Sequence, residues 1–148
     1  MQMIGYHYTS ENNWNVIQKE GLKPYRVESL VKVSGPFKVP DTGIWLYAER
    51  QRGLSHLGCI LWQAVTKKTE NIVLLEVTHN KNQVLNHSEL GTVEIEHDLD
   101  WKGFMFHEKT PVHIVLDTVH PKNIKVVGRY DISTFADIYD NRINNEII

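Results

Sequence analysis

The feature that most constrains this fold is a strand followed at once by a helix in residues 3–21. The first residues alternate in polarity as a β-strand does, and His7 and Thr9 fall on one face. Ser10 then has the residue type of a helix N-cap, and Gly21 that of the residue that ends a helix. The chain is therefore expected to begin with a compact strand–helix unit. The predicted bounds are 3–9 for the strand and 11–20 for the helix.

The rest of the chain is dominated by strand patterns, with one further buried helix at 54–65. Residues 71–78 form an almost unbroken apolar run, which is typical of a central strand. Residues 34–43 contain two prolines and two glycines and predict a loop. An early helix and late strands favour an α+β fold with antiparallel sheets. Further strands are predicted at 43–49, 83–85, 92–96, 103–107, 112–116 and 124–130, and Phe135, Ile138 and Tyr139 have helical spacing.

Composition limits the classes of protein to which the chain can belong. Its 148 residues, 41% hydrophobic and 23% charged, suit one soluble domain spanning 1–148. A net charge of −2 gives no general reason to expect nucleic-acid or membrane binding. There is no apolar run of the ~20 residues that a membrane helix needs, and the first residues do not resemble a signal peptide. With Cys59 as the single cysteine, a cytoplasmic location is expected.

His7 is the first candidate for chemistry. An imidazole at the end of a strand, two residues before Thr9, can donate a hydrogen bond to a polar ligand, because near neutral pH one ring nitrogen carries a hydrogen. The alternative is a packed histidine that bonds to a backbone carbonyl. The residue type alone leaves both interpretations open.

Trp45 and Tyr47 are the second candidates, because they share one face of the predicted strand at 43–49. Two large aromatic side chains can stack against a planar heterocycle, and a cationic ring gains ~0.5–2 kcal/mol over an aromatic face. Core packing is the alternative, because aromatic side chains on strands are often buried.

These stretches together resemble the NAD-dependent ADP-ribosyltransferase superfamily, in its diphtheria-toxin-like and poly-ADP-ribose-polymerase-like branch. The first motif of that branch is H-x-T or H-G-[TS], followed by a helix and a glycine, and "HYT" at 7–9 matches it. Its second motif, a glycine, a hydrophobic residue and an aromatic, matches Gly43, Ile44 and Trp45. Tyrosine is usual at the aromatic position, so Trp45 departs from the family and Tyr47 is the second choice. The likeness covers the first third of the chain.

The resemblance implies split antiparallel sheets around an NAD cleft, with a few flanking helices. NAD would be the co-substrate, bound by His7, Thr9, Gly43, Trp45 and Tyr47, with His7 also catalytic. ADP-ribose would pass to an unknown protein or nucleic-acid acceptor as nicotinamide is released. Members of the family act in toxins, in phage–host conflict and in housekeeping modification.

The catalytic glutamate of the family has no direct counterpart here. The matching late strand would begin near Pro111, Val112 or His113, none of which is acidic. Glu108, a few residues upstream, is the first choice for the catalytic acid. Glu94 and Glu96 are the alternatives if the strand assignment is wrong.

Two other functions remain open. RNA 2′-phosphotransferases of the same superfamily use NAD with a hydrophobic residue in place of the glutamate and rely on arginines, for which Arg50 and Arg52 are available. The domain could also bind NAD, ADP-ribose or a protein without catalysis. No metal site is expected, because His107, His113 and His120 do not have the spacing of a zinc signature.

Overall fold

The structure is a computed structural model that describes residues 2–26, 31–34, 42–80, 92–98 and 105–133. It contains two helices, eight strands and one 3₁₀ turn in this part of the chain. Their bounds are β1 Gln2–Ser10, α1 Glu11–Glu20, β2 Tyr25–Arg26, β3 Val31–Ser34, β4 Thr42–Tyr47, α2 Gly53–Lys67, β5 Asn71–Asn80, β6 Thr92–Asp98, β7 Met105–Val115, the 3₁₀ turn Pro121–Asn123 and β8 Ile124–Asp131.

The strand–helix unit at the start of the chain forms as its local signals predict. Ser10 has extended backbone angles, and its Oγ accepts a hydrogen bond from the backbone N–H of Asn13 at 3.1 Å. Gly21 ends the helix with φ 83° and donates its N–H to the carbonyl of Ile17 at 2.8 Å. The predicted helix bounds, N-cap and terminal glycine are confirmed.

The strands form a mostly antiparallel sheet, which confirms the α+β class. Their order is β3-β6-β7-β4-β1-β5-β8, and β2 pairs with β4 beside this series. The apolar strand β5 lies between β1 and β8, as expected of a central strand. Every pairing between the strands of the described residues is antiparallel.

The two helices cover opposite faces of the sheet. Ile72 and Leu74 of β5 pack in a core with α2, whereas Val73 and Leu75, which alternate with them, pack in a second core with Ile17 of α1. These four consecutive residues are fully buried, which explains why this part of β5 is an unbroken apolar run; alternation returns at Glu76 and Thr78, which are only partly buried. Neither helix within the described ranges is long and apolar enough to cross a membrane.

The sequence missed two short strands and divided a long one. Residues 25–42 were not predicted to contain strands, yet β2 and β3 lie there, because pairing with β4 and β6 outweighs weak local preference. The predicted strands at 103–107 and 112–116 are one strand, β7. Pro111 suggested a break; it lies where pairing with β6 gives way to pairing with β4, a position that tolerates a missing N–H. The predictions for 83–85 and for the tail lie outside the described residues.

A separation between β1 and β4 prepares the site. The two strands pair at Tyr6 and Tyr47, and further along β4 the partner is β2, through Tyr25 and Gly43. We call the space between residues 7–10 of β1 and 43–45 of β4 the β1–β4 gap. Next to the Tyr6–Tyr47 pair the two strands are in close contact, because a Cβ at Gly5 would meet the Cβ of Leu46 at 2.6 Å.

Candidate functional site

A cavity of about 410 Å³ occupies the β1–β4 gap. β1 and β4 supply two of its walls, α1 and α2 supply two more, and β7 contributes Val112. Its volume is in the range of small-molecule sites, which are typically 300–1,000 Å³. We call this cavity the central pocket.

Four of the five predicted NAD-binding residues line the central pocket. His7 and Thr9 enter from β1, and Trp45 and Tyr47 enter from β4. Gly43 does not line it; this glycine pairs with Tyr25 of β2 at the edge of β4. The imidazole and the indole identified in sequence therefore share one cavity although 38 residues separate them in the chain.

Side chains of the pocket bind the backbone of Trp45 where a neighbouring strand is missing. The carbonyl of Trp45 accepts a hydrogen bond from Nδ1 of His7 at 3.1 Å. Its N–H donates to the hydroxyl of Tyr25 at 3.3 Å. The rings of His7 and Tyr25 lie 5.9 Å apart, centroid to centroid. The gap thus stays open without leaving the backbone of Trp45 unsatisfied.

The bond to the Trp45 carbonyl fixes the tautomer of His7. A carbonyl can only accept, so Nδ1 carries the hydrogen, and in the neutral ring Nε2 keeps its lone pair. Burial lowers the pKa of His7 below the usual 6.5, the bond to Trp45 opposes that shift, and the Lys67 ammonium adds to the lowering. His7 is therefore neutral at pH 7. It offers the pocket an acceptor, whereas the sequence prediction was a donor, because the one N–H of the ring is used on Trp45.

Thr9 and Tyr47 are fixed by bonds to neighbouring elements. Thr9 is 3% exposed, and its hydroxyl accepts from the side-chain amide of Asn13 at 3.2 Å, which leaves its own O–H free to donate. The Tyr47 hydroxyl accepts from Sγ of Cys59 on α2 at 3.3 Å, and its ring meets Tyr8 edge-on at 6.0 Å. Both side chains are therefore positioned before a ligand arrives.

Two polar atoms in the pocket wall lack partners. Among the described side chains, the buried polar atoms without a hydrogen bond are the indole Nε1 of Trp45 and Oε1 of Gln63 on α2. Both residues line the central pocket. Each such atom costs about 1–3 kcal/mol, and because both atoms are fully buried, neither faces the open cavity.

The charged residues of the pocket lie toward its rim. Lys67 and Arg26 line it, and Lys23 lines it while forming an exposed ion pair with Glu20 at 3.4 Å. Glu20 is the one acidic residue among the described lining residues, and Lys23 offsets its charge. The remaining cations, Lys67 and Arg26, favour an anionic group at the rim.

The acidic residues proposed from sequence lie on strands beyond the pocket. Glu108 lies on β7 opposite Ile95, four residues before Val112, so its backbone is about 13 Å along the strand from the pocket wall. Glu94 and Glu96 lie on β6. At the β7 position that lines the pocket, the residue is the apolar Val112.

Arg50 and Arg52 lie in a second, polar depression next to the central pocket. Its volume is about 660 Å³, and three of its lining residues, Tyr6, Ala48 and Pro111, are next in the chain to residues that line the central pocket. Arg50 donates to the carbonyl of Val127 at 3.3 Å. The basic residues that line the central pocket with His7 are therefore not the two arginines suggested by the sequence; they are Lys23, Arg26 and Lys67.

The histidines considered for a metal do not form a ligand set in the described part of the chain. His113 is buried and lies against His79, with 3.4 Å between Nδ1 and Nε2. His120 caps the 3₁₀ turn by accepting from the N–H of Lys122. The described residues contain no cluster of three or more histidine, cysteine, aspartate or glutamate side chains suited to a metal ion.

Sequence reasoning missed the wall that α2 contributes. Cys59, Trp62, Gln63 and Lys67 line the pocket, but the segment was read as a buried helix without chemistry. The available signal was one polar residue, Gln63, inside an apolar run. Comparisons with protein-family models, with curated proteins and with solved structures find no match to this chain.

Proposed function

We propose that this protein is an NAD-dependent ADP-ribosyltransferase that transfers ADP-ribose to a macromolecular acceptor and releases nicotinamide. The observation that carries the proposal is that His7, Thr9, Trp45 and Tyr47 surround one cavity. The resemblance to ADP-ribosyltransferases assigns these residues to the nicotinamide half of NAD. The β1–β4 gap also supports the finer assignment of the fold, to split antiparallel sheets around a cleft.

The pocket suits a displacement at the anomeric carbon of the nicotinamide ribose. The glycosidic C–N bond breaks, and nicotinamide leaves as a neutral molecule with the bonding electron pair. A bond forms between the anomeric carbon and the acceptor atom, which loses its proton to solvent. Neutral His7 would accept a hydrogen bond from a ribose hydroxyl, and the O–H of Thr9 would donate a second bond. Two fixed bonds hold the sugar in the reactive orientation.

The rim charges suit the diphosphate of NAD. Lys67 and Arg26 line the same cavity as His7. If the nicotinamide ring lies in the aromatic part of the pocket, the diphosphate of NAD would lie near these cations. Trp45 or, on the same strand face, Tyr47 would contact the ring.

We keep Glu108 as the proposed source of negative charge for the positively charged transition state. To reach the sugar held by His7 and Thr9, it would need a bulge in β7 that brings it toward Val112, from which its backbone is about 13 Å along the strand. Glu20 lines the pocket, but it is exposed and paired with Lys23, so its field at the sugar is weak. Glu108→Gln is therefore expected to slow nicotinamide release, with Glu20→Gln as the matched control.

The second candidate function is transfer of an RNA 2′-phosphate to NAD, and Val112 favours it. An apolar residue occupies the β7 position in the pocket wall. A phosphate acceptor carries its own negative charge to the anomeric carbon, so it needs neither a carboxylate nor a general base there. The adjacent depression, with Arg50 and Arg52, has the charge to bind such an acceptor.

The test is incubation with NAD labelled in its adenine half, with release of nicotinamide measured in parallel. Label should pass to protein or nucleic acid of an added lysate, and His7→Ala should abolish both signals. RNA with a 2′-phosphate, followed by mass spectrometry with and without NAD, separates the second candidate. NAD binding without nicotinamide release would indicate a domain that binds NAD but does not catalyse its turnover. Absence of both binding and turnover would refute the NAD proposal.

A further inference from the structure

The central pocket has walls on both faces of the sheet. The two helices pack on opposite faces, with Ile17 of α1 in one core and Trp62 of α2 in the other, yet both residues line this one cavity. Adjacent residues of β1 line it from opposite faces as well: Thr9 bonds Asn13 of α1, whereas Tyr8 packs in the core of α2. Such a cavity crosses the sheet, and the β1–β4 gap is the break through which it does so.

Solvent-exposed residues line the pocket at both ends. On the α1 side, Val16 is 51% exposed, and Glu20 and Lys23 form their ion pair at the surface. On the α2 side, Lys67 is exposed and Thr66 is half-buried. We call the first three residues the α1 mouth and the other two the α2 mouth. The cavity therefore reaches solvent-accessible residues on each face of the sheet.

We propose that the central pocket is a passage through the sheet, in which NAD enters at the α1 mouth and nicotinamide leaves at the α2 mouth. This proposal rests on the proposed function and adds the direction in which substrate and product move. Trp45 and Tyr47, assigned to nicotinamide, lie on the α2 face, where Tyr47 bonds Cys59. His7 and Thr9, assigned to the ribose, lie on the α1 face. NAD would thus extend from nicotinamide near α2 to the diphosphate near α1.

The passage also separates the cations that the pocket offers to a diphosphate. Arg26 pairs with Thr42 of β4, which shares a face with Ile44 in the core of α1, whereas Lys67 belongs to the α2 mouth. With nicotinamide toward α2, the diphosphate lies on the side of Arg26 and Lys23. Lys67 then borders the exit, through which nicotinamide passes as a neutral molecule.

The experiment measures how fast nicotinamide leaves the wild-type protein with and without ADP-ribose, by nuclear magnetic resonance exchange on the nicotinamide protons. ADP-ribose would occupy the α1 mouth. In a pocket with a single mouth it would trap nicotinamide behind it, whereas in a passage nicotinamide still leaves at the α2 mouth. The dissociation rate should therefore stay within about threefold of the rate without ADP-ribose. A larger decrease would refute the passage while NAD binding stands.

Two substitutions narrow one mouth each. Thr66→Trp should slow nicotinamide dissociation by about tenfold and leave the calorimetric affinity for NAD unchanged. Val16→Trp should slow NAD association by about tenfold, seen in exchange of its adenine protons, and leave nicotinamide dissociation unchanged. Gln18→Trp, exposed on α1 and outside the pocket lining, is the control and should behave as wild type.

The outcomes separate this inference from the proposed function. If Thr66→Trp and Val16→Trp slow the same step, the pocket has one entrance and the inference is wrong, although NAD still binds. If the wild type binds neither NAD nor nicotinamide, the proposed function fails and the inference fails with it. Thermal unfolding of each variant checks that it is folded, and the measurement with ADP-ribose on the wild type needs no variant.

Discussion

Under the proposed function, His7 has two separable roles, one in the sheet and one toward the ligand. Nδ1 satisfies the carbonyl of Trp45, and Nε2, which has no partner among the described residues, would accept from the substrate. His7→Ala removes both roles. His7→Asn keeps an amide N–H near the position of Nδ1 but has no atom at the position of Nε2. The two variants therefore divide the contribution to stability from the contribution to catalysis.

The structure sets the size of each effect. Leaving the Trp45 carbonyl unpaired costs about 1–3 kcal/mol, whereas proteins of this size have 5–15 kcal/mol of stability. With the lowest stability, about 5 kcal/mol, and the largest loss, about 3 kcal/mol, a free energy of unfolding of about 2 kcal/mol remains, which keeps about 97% of the molecules folded. A fall in rate of about 100-fold or more, as expected from loss of a positioned substrate contact, cannot then result from unfolding.

The assays are urea unfolding followed by circular dichroism, and chromatographic measurement of nicotinamide released from NAD. We expect His7→Ala to lose about 1–3 kcal/mol and His7→Asn less than about 1 kcal/mol, with both inactive. If His7→Asn releases nicotinamide within tenfold of the wild-type rate, Nε2 is not the substrate acceptor. If the two variants are equally unstable, the bond to Trp45 does not support the gap.

Two further predictions concern stability. Gly21→Ala should lower the free energy of unfolding in urea by about 2–5 kcal/mol, because only glycine adopts the backbone angles of Gly21 easily and because a Cβ there would meet the Val119 carbonyl, which accepts from Leu22. Glu20→Ala is the control. A loss below about 1 kcal/mol for Gly21→Ala would contradict the argument. Stability should also fall with acid. Desolvation lowers the pKa of both His7 and His56, so stability is full above pH 6.5 and declines below it, by at most about 1.4 kcal/mol per pH unit for His7. The difference between the unfolding midpoints at pH 7.5 and 5.5 should be smaller in His7→Asn than in the wild type. If that difference is unchanged, His7 does not contribute to the loss of stability in acid.

The sequence predicts the parts of this protein whose signals are local. Ser10 and Gly21 determine where α1 begins and ends through their own backbone and side-chain chemistry, so these bounds are readable. The period-two pattern likewise gives the face of His7 and Thr9. The strand at 71–78 is readable because residues 72–75 are buried on both faces of the sheet and are all apolar.

Features that depend on tertiary contacts cannot be predicted from such local signals. The two-residue strand β2 exists because it pairs with Gly43 and Thr42, and Tyr25 has no local mark of its bond to Trp45. Gln63 becomes part of a site only because α2 packs beside the gap. The tautomer of His7 depends on a carbonyl 38 residues away, so the sequence could not distinguish donor from acceptor.

The way in which Trp45 is held has a consequence for motion. Elsewhere along β4, ladder bonds to β7 join backbone to backbone, and parting those strands would mean breaking several of them in succession. On the other edge of β4, the backbone of Trp45 is hydrogen-bonded by two side chains, those of His7 and Tyr25. The bond from the Trp45 N–H to the Tyr25 hydroxyl can open by rotation of the Tyr25 side chain alone, because Tyr25 is exposed and exposed side chains rotate in picoseconds to nanoseconds. This side of the pocket can therefore open locally while the strand pairs on either side of it stay intact.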